Sequence, residues 1–294
     1  MRVFSSAYRR FRHCGSVIRD QMSIRRDFHG AKPRLLSSPD LTHEEKGILE
    51  KVSIRVHHGD GMYAGDAFHY LSVGLSATRC IQEALLSAGK ELGDGSILDF
   101  ACGFGRVLRF LRASFPNSEI TAAEIDGSAL DFCCRSFSVT PLLSKTPLRD
   151  LNLPRQFDLI WCGSLLTHID EQATSDLLHF FRDHLSSRGL CVFTTHGWRS
   201  IEFIQSKKKT YGLSEDARQK VIRQFQSKGY GYADYPNQSC YGISVVTHQR
   251  MRELARGVGG WDETLFLEHG WDNHQDVYAF TVPMPNKGME NDSE

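Results

Sequence analysis

The sequence predicts an α/β fold built on a doubly wound, mainly parallel sheet. Two observations carry this: apolar runs of strand length alternate with amphipathic helical segments from residue 96 to 197, and the first run ends in an acid followed by glycines. Strands alternating with helices pair in parallel through right-handed crossovers. Ile81, Ala84, Leu85 and Ala88 stand at helical spacing, and a Gly-Asp-Gly break leads into the apolar run 96–100. Val107, Leu108, Leu111 and Phe115 mark the next helix, and 119–124 is a second strand. Leu130, Cys133, Cys134 and Phe137 then repeat at i, i+3, i+4 and i+7, a helix capped by Asp126 or Ser128. Residues 157–162 read as a fully buried strand, 170–185 as a helix with Leu177, Leu178, Phe181 and Leu185 inward, and 189–195 as another strand. Further on, Thr247 caps a helix bearing Met251, Leu254, Ala255 and Val258, and strands at 264–268 and 277–282 flank a polar turn as a terminal hairpin.

The chain has 294 residues with 40% hydrophobic and 24% charged, enough apolar content for a core and against a disordered chain. No stretch approaches the roughly 18 uninterrupted apolar residues of a membrane helix. Lys plus Arg and Asp plus Glu number 35 each, so no global charge draws the protein to nucleic acid or an anionic membrane. The eight cysteines contain no C-x-x-C pair and several lie in apolar runs, which reads as reduced, buried thiols in a cytoplasmic protein. The thirteen histidines are scattered without H-E-x-x-H, so no metal is expected.

Residues 1–45 are expected to be a basic, loosely ordered arm, with a solvated tail weighed above a transit peptide, and no apolar core of a secretory signal is seen. Residues 46–95 read as an N-terminal helical cap, 96–284 as the main domain with an insertion at 198–246, and 285–294 as a flexible tail. The insertion holds a charged helical stretch at 214–228 and an aromatic loop beginning at Gly229.

The most informative segment is Ile97-Leu-Asp-Phe-Ala-Cys-Gly-Phe-Gly-Arg-Val-Leu. Glycines after an apolar strand let backbone approach a ligand closely. A dinucleotide site asks for G-x-G-x-x-G, and Leu108 stands where the third glycine belongs, which disfavours a nucleotide-dependent oxidoreductase. Asp99-x-x-x-Gly103-x-Gly105 instead resembles the first motif of the class I S-adenosylmethionine-dependent methyltransferases. The resemblance extends over about 96–197: the second strand ends in Ala-Ala-Glu-Ile-Asp, and Phe-Asp-Leu-Ile-Trp followed by Cys-Gly-Ser-Leu-Leu-Thr-His is similar to the family's fourth-strand segment.

The resemblance implies a Rossmann-like, seven-stranded sheet, S-adenosyl-L-methionine as cofactor, and a cofactor site at Asp99, Ala101, Cys102, Gly103, Gly105, Arg106, Glu124, Ile125, Gly163 and Ser164, with Glu124 taking the ribose hydroxyls. The family's third-strand acid for adenine has no clear counterpart, leaving Ser144 or Asp150. Met62, Tyr63 and Tyr70 are candidates for a cover over the cofactor, Tyr63 among the cofactor contacts. His168 and His196 follow the ends of the fourth and fifth strands, where open α/β sheets place ligands, and are candidate bases as well as candidate turn-stabilising residues. Tyr230, Tyr232, Tyr235 and Tyr241, four of the chain's nine tyrosines, are candidates for an acceptor wall or for loop packing. The acceptor is expected to be a small molecule or glycan; a non-catalytic scaffold that keeps the fold is the alternative.

Overall fold

A computed structural model describes residues 21–283 apart from Asn152 and Pro154. The parts of the expected arm and tail at 1–20 and 285–294 lie outside the described residues. The elements run α1 (Gln21–Leu36), α2 (His43–Lys51), α3 (Ala67–Ser87), β1 (Ile97–Phe100), α4 (Leu108–Ser114), β2 (Ile120–Glu124), α5 (Gly127–Phe137), β3 (Thr140–Leu143), β4 (Phe157–Cys162), α6 (Glu171–His184), β5 (Leu185–His196), α7 (Trp198–Gln205), α8 (Glu215–Lys228), β6 (Tyr230–Asp234), β7 (Gly242–Val246), α9 (His248–Val258), β8 (Asp262–Trp271) and β9 (Gln275–Thr281). A seven-stranded sheet has the order β3-β2-β1-β4-β5-β9-β8. The first five of these strands are parallel, and β9 runs antiparallel to both β5 and β8.

The central strands are buried on both faces, so their alternation sorts side chains into two cores. Leu98, Phe100, Ile160, Phe193 and Phe280 face α6 and α9, and Ile97, Leu159, Trp161, Val192 and Ala279 face α3 and α4. Helix starts are set by side-chain caps: Asp126 accepts the Ser128 N–H, Asp170 the Ala173 N–H and Thr247 the Arg250 N–H. Of the two candidates for capping α5, Asp126 is the one used.

Two features depart from the sequence reading. The sequence predicts a loose arm that includes 21–45, but α1 fills 21–36 and α2, capped by Thr42, begins at His43. Ile24, Phe28, Ala31 and Leu35 recur on one face of α1 and bury there, Phe28 completely. Ile24, Phe28 and Leu35 each contribute about 1.5–3 kcal/mol, enough to hold a helix whose basic residues stay in water. They pack with Leu49, Tyr63, Tyr70, Leu71 and Phe110 into a core of their own beside α4. The expected aromatic loop is also not a loop: Tyr230–Asp234 is β6, paired antiparallel with β7.

Candidate active site

β1 and β2 deliver the site from two ends. Beyond β1 the chain turns sharply, with Ala101, Gly103 and Gly105 at φ 63°, 55° and 80°. Such backbone is costly for a side chain, and at Gly105 a Cβ would lie 2.5 Å from the Phe137 ring. The turn is fixed from β2: the Ala101 N–H donates to the Ala123 carbonyl at 2.9 Å and the Gly103 N–H to Glu124 Oε2 at 2.8 Å. Glu124 Oε1 accepts from Ile125 N–H and Asp126 N–H at 2.8 and 3.0 Å. A carboxylate offers about four lone-pair sites, so three backbone donors leave one on Oε2 for a ligand.

A cavity of about 300 Å³ opens over this turn at the carboxyl edge of the sheet. Asp99, Ala101, Cys102, Gly103, Arg106, Glu124, Ile125, Gly163 and Ser164 line it. Gly105 does not line it; its place is set by the turn and by contact with Phe137 and Cys133. Tyr63 is not at the cavity either. Its ring lies in the N-terminal core and its hydroxyl donates to Asp27 at 2.7 Å, while Asp60 and Met62 of the same segment are the residues that reach the cavity. Ser144 lines the adjoining wall with Lys145 and Thr146; Asp150 does not line it.

The charges in the cavity are unusual. Asp99 is buried and its Oδ2 has no hydrogen-bond partner among the described residues. Burial, aided by the Glu124 charge, pushes its carboxyl up to about 8. Burial likewise raises Glu124, against the pull of its three backbone donors. The Arg106 guanidinium sits 5.5 Å from the Trp271 ring and 6.0 Å from the Tyr70 ring, its proton affinity lowered by burial. An acid with an unmet oxygen, a half-buried cation and a carboxylate with one open lone pair suit a ligand that brings an ammonium, a carboxylate and a hydroxyl.

At the acceptor side the candidates separate. His168 lines the cavity. Its Nδ1 lies 2.8 Å from the Gly242 carbonyl, which can only accept, so Nδ1 carries the proton and Nε2 the lone pair. The Tyr235 oxygen stands 3.1 Å from the same Nδ1, and the Tyr241 ring stacks on the imidazole at 5.0 Å. Burial lowers the proton affinity of His168. His196 does not line the cavity: it is buried, with Nδ1 3.2 Å from the Ser244 carbonyl and its ring beside Tyr211 and His274. Among the four tyrosines only Tyr241 lines the cavity. Tyr230 is a core residue whose hydroxyl donates to the Ile169 carbonyl at 3.0 Å, Tyr232 bonds Asp234, and Tyr235 acts on His168 from behind. Sequence reasoning missed Trp161 and Trp271, an edge-to-face pair 5.5 Å apart in the wall, and Asp60.

Among the described residues no group of three or more metal-type side chains gathers, and no helix is long and apolar enough to cross a membrane.

A family model described as a methyltransferase domain matches residues 98–191. The crystal structure of Streptomyces venezuelae DesVI superposes with a TM-score of 0.51 at 17% identity, covering 78% of this chain and 99% of that one. An S-adenosylmethionine-dependent methyltransferase from Clostridium acetobutylicum ATCC 824 gives 0.49 at 15% identity, over 70% of this chain and 91% of that one. PKMT2 from Rickettsia typhi in complex with AdoHcy gives 0.43 at 13%, over 68% and 52%. No curated protein matches the chain. The matched segment spans the glycine turn, the second-strand acid and the fourth strand, so residues 98–191 carry the features of a methyltransferase domain.

Proposed function

We propose that this enzyme methylates a small-molecule or glycan acceptor whose attacking atom loses a proton to His168 Nε2. The observation that carries this is the shared cavity: the only basic nitrogen that Gly242 leaves on His168 belongs to a residue lining the same space as Asp99, Arg106 and Glu124. Bound S-adenosylmethionine supplies a methyl group already activated on a sulfonium. Glu124 Oε2 would accept one ribose hydroxyl, Asp99 would meet the ammonium and Arg106 the carboxylate of the methionine end, and Ser144 to Thr146 on the cavity wall would supply adenine contacts. Holding acceptor, methyl carbon and sulfur in one cavity supplies positioning worth about 7–11 kcal/mol.

His168→Ala is expected to lower turnover by about 10²–10³, within the range for loss of a general base, and to leave S-adenosylhomocysteine affinity within about threefold. The assay follows methyl-labelled cofactor into extracts of small molecules and glycans. Equal losses of turnover and of cofactor affinity would make His168 a turn residue instead.

Asp99 gives a pH signature. Its folded-state carboxyl titrates at about 8 against an ordinary value of 3.8, so the fold favours the protonated form. Stability from this group is therefore complete below about pH 4 and declines as pH rises towards 8. A ligand ammonium favours the ionised form, so binding below pH 8 releases a proton. S-adenosylhomocysteine affinity is expected to climb from pH 6 to about 8 and then level, with the slope absent in Asp99→Asn. Calorimetry in buffers of different ionisation enthalpy measures the released proton directly; a flat profile in the wild type removes Asp99 from the ammonium site.

A further inference from the structure

The Gly163–Ser164 turn after β4 lines the cavity, yet Ser164 sits at φ 66°, a backbone region that disfavours a side chain. Strained residues of this kind persist only where their surroundings over-determine them. Here the surroundings come from β5 and from the antiparallel strand β9. The Ser164 N–H donates to Thr194 Oγ1 at 2.8 Å, the Thr194 hydroxyl donates to Gln275 Oε1 at 2.6 Å, and Gln275 Nε2 donates back to Ser164 Oγ at 3.0 Å. Thr167 closes the turn from its far side by donating to the Ser164 carbonyl at 2.5 Å. Thr194 is completely buried, and Gln275 is the first residue of β9, paired with His196. Behind the turn, Trp271 and Trp161 leave no room for it to retreat: a Cβ at Gly163 would lie 3.0 Å from one ring and 3.1 Å from the other.

We propose that Gln275 is a positioning residue for the cofactor, holding Ser164, in the Gly163–Ser164 turn, in its left-handed conformation through Thr194. The inference rests on the cofactor reading above. It also gives the terminal hairpin a role in the site: β9 reaches across β5 to a turn on β4 through this one amide. Without the amide, Thr194 loses its acceptor, the Ser164 hydroxyl loses a donor, and the turn is free to relax towards negative φ, which displaces cavity-lining backbone.

The test is calorimetric affinity for S-adenosylhomocysteine, with melting temperature recorded for every variant. Gln275→Ala is expected to bind about tenfold more weakly, the equivalent of one or two lost neutral hydrogen bonds. Thr194→Val, which keeps the volume and removes the hydroxyl, is expected to behave alike, and Thr194→Ser, which keeps the hydroxyl, to retain affinity. Glycine accepts positive φ without penalty, so adding Ser164→Gly to Gln275→Ala is expected to recover a measurable part of the loss. That recovery is a readout which general destabilisation does not give. If Gln275→Ala does not fold, the Thr194→Val and Thr194→Ser pair carries the comparison. Wild-type affinity in Gln275→Ala or Thr194→Val, or no recovery on adding Ser164→Gly, overturns the proposal while the cofactor reading stands. Failure of the wild type to bind S-adenosylhomocysteine overturns the cofactor reading itself.

Discussion

Replacing Glu124 by alanine is expected to weaken S-adenosylhomocysteine binding by ten- to a hundredfold or more. A charge-assisted hydrogen bond to a ligand hydroxyl is worth about 1.5–3 kcal/mol, which alone gives that range. The structure adds a second contribution, because the same carboxylate accepts the Gly103, Ile125 and Asp126 N–H groups and so ties β2 to the glycine turn. The two roles separate in Glu124→Gln. An amide keeps one acceptor oxygen but turns a donor towards a backbone donor, so a turn-holding role predicts that glutamine is nearly as damaging as alanine. A purely ligand-facing role predicts that glutamine retains much of the affinity. Calorimetry on both variants decides, and unchanged affinity in Glu124→Ala would remove the residue from the site.

What the sequence made legible follows from how each element is stabilised. β1, β2, β4 and β5 from Gly189 onward are buried on both faces, so they are written as largely apolar runs, and the acid-glycine ending of β1 marks the turn without any knowledge of the partner strand. β6 was invisible as a strand because Tyr-Gly-Tyr-Ala-Asp alternates glycine with tyrosine and its pairing partner lies beyond a second turn. The tyrosines there share a composition but not a direction: Tyr230 enters the core, Tyr235 reaches the back of His168 and only Tyr241 reaches the cavity. Helix α1 was hidden by its basic residues and Pro33, although Ile24, Phe28, Ala31 and Leu35 carry an apolar face. Gly105 was legible as necessary, but the neighbour that leaves no space for a side chain there, Phe137, comes from a distant helix that sequence spacing does not reveal.

The residue least legible of all is Arg109, which on an amphipathic helix reads as solvent-facing and is instead 1% exposed. Its Nε donates to the Gly105 carbonyl at 2.9 Å, its Nη1 to the Ser53 and Arg55 carbonyls at 3.0 and 2.9 Å, and its Nη2 to the Tyr70 hydroxyl at 3.2 Å. Tyr70 in turn donates to Asp60 Oδ2 at 2.7 Å, so one guanidinium joins the glycine turn to the segment that brings Asp60 and Met62 over the cavity. Arg109→Met keeps most of the volume and leaves three backbone carbonyls without this donor, each unmet buried group costing about 1–3 kcal/mol. The expected loss is about 3–5 kcal/mol in stability, in line with breaking a buried charged network. For a domain of this size that lowers the melting temperature by roughly 10 °C. S-adenosylhomocysteine is expected to restore less of that loss than it adds to the wild type, because a ligand stabilises only through its affinity for the folded site and the cover is now loosely held. A melting temperature within about 2 °C of wild type would show that the carbonyls find other donors, and an undiminished ligand shift would show that the 53–62 segment keeps its place without Arg109.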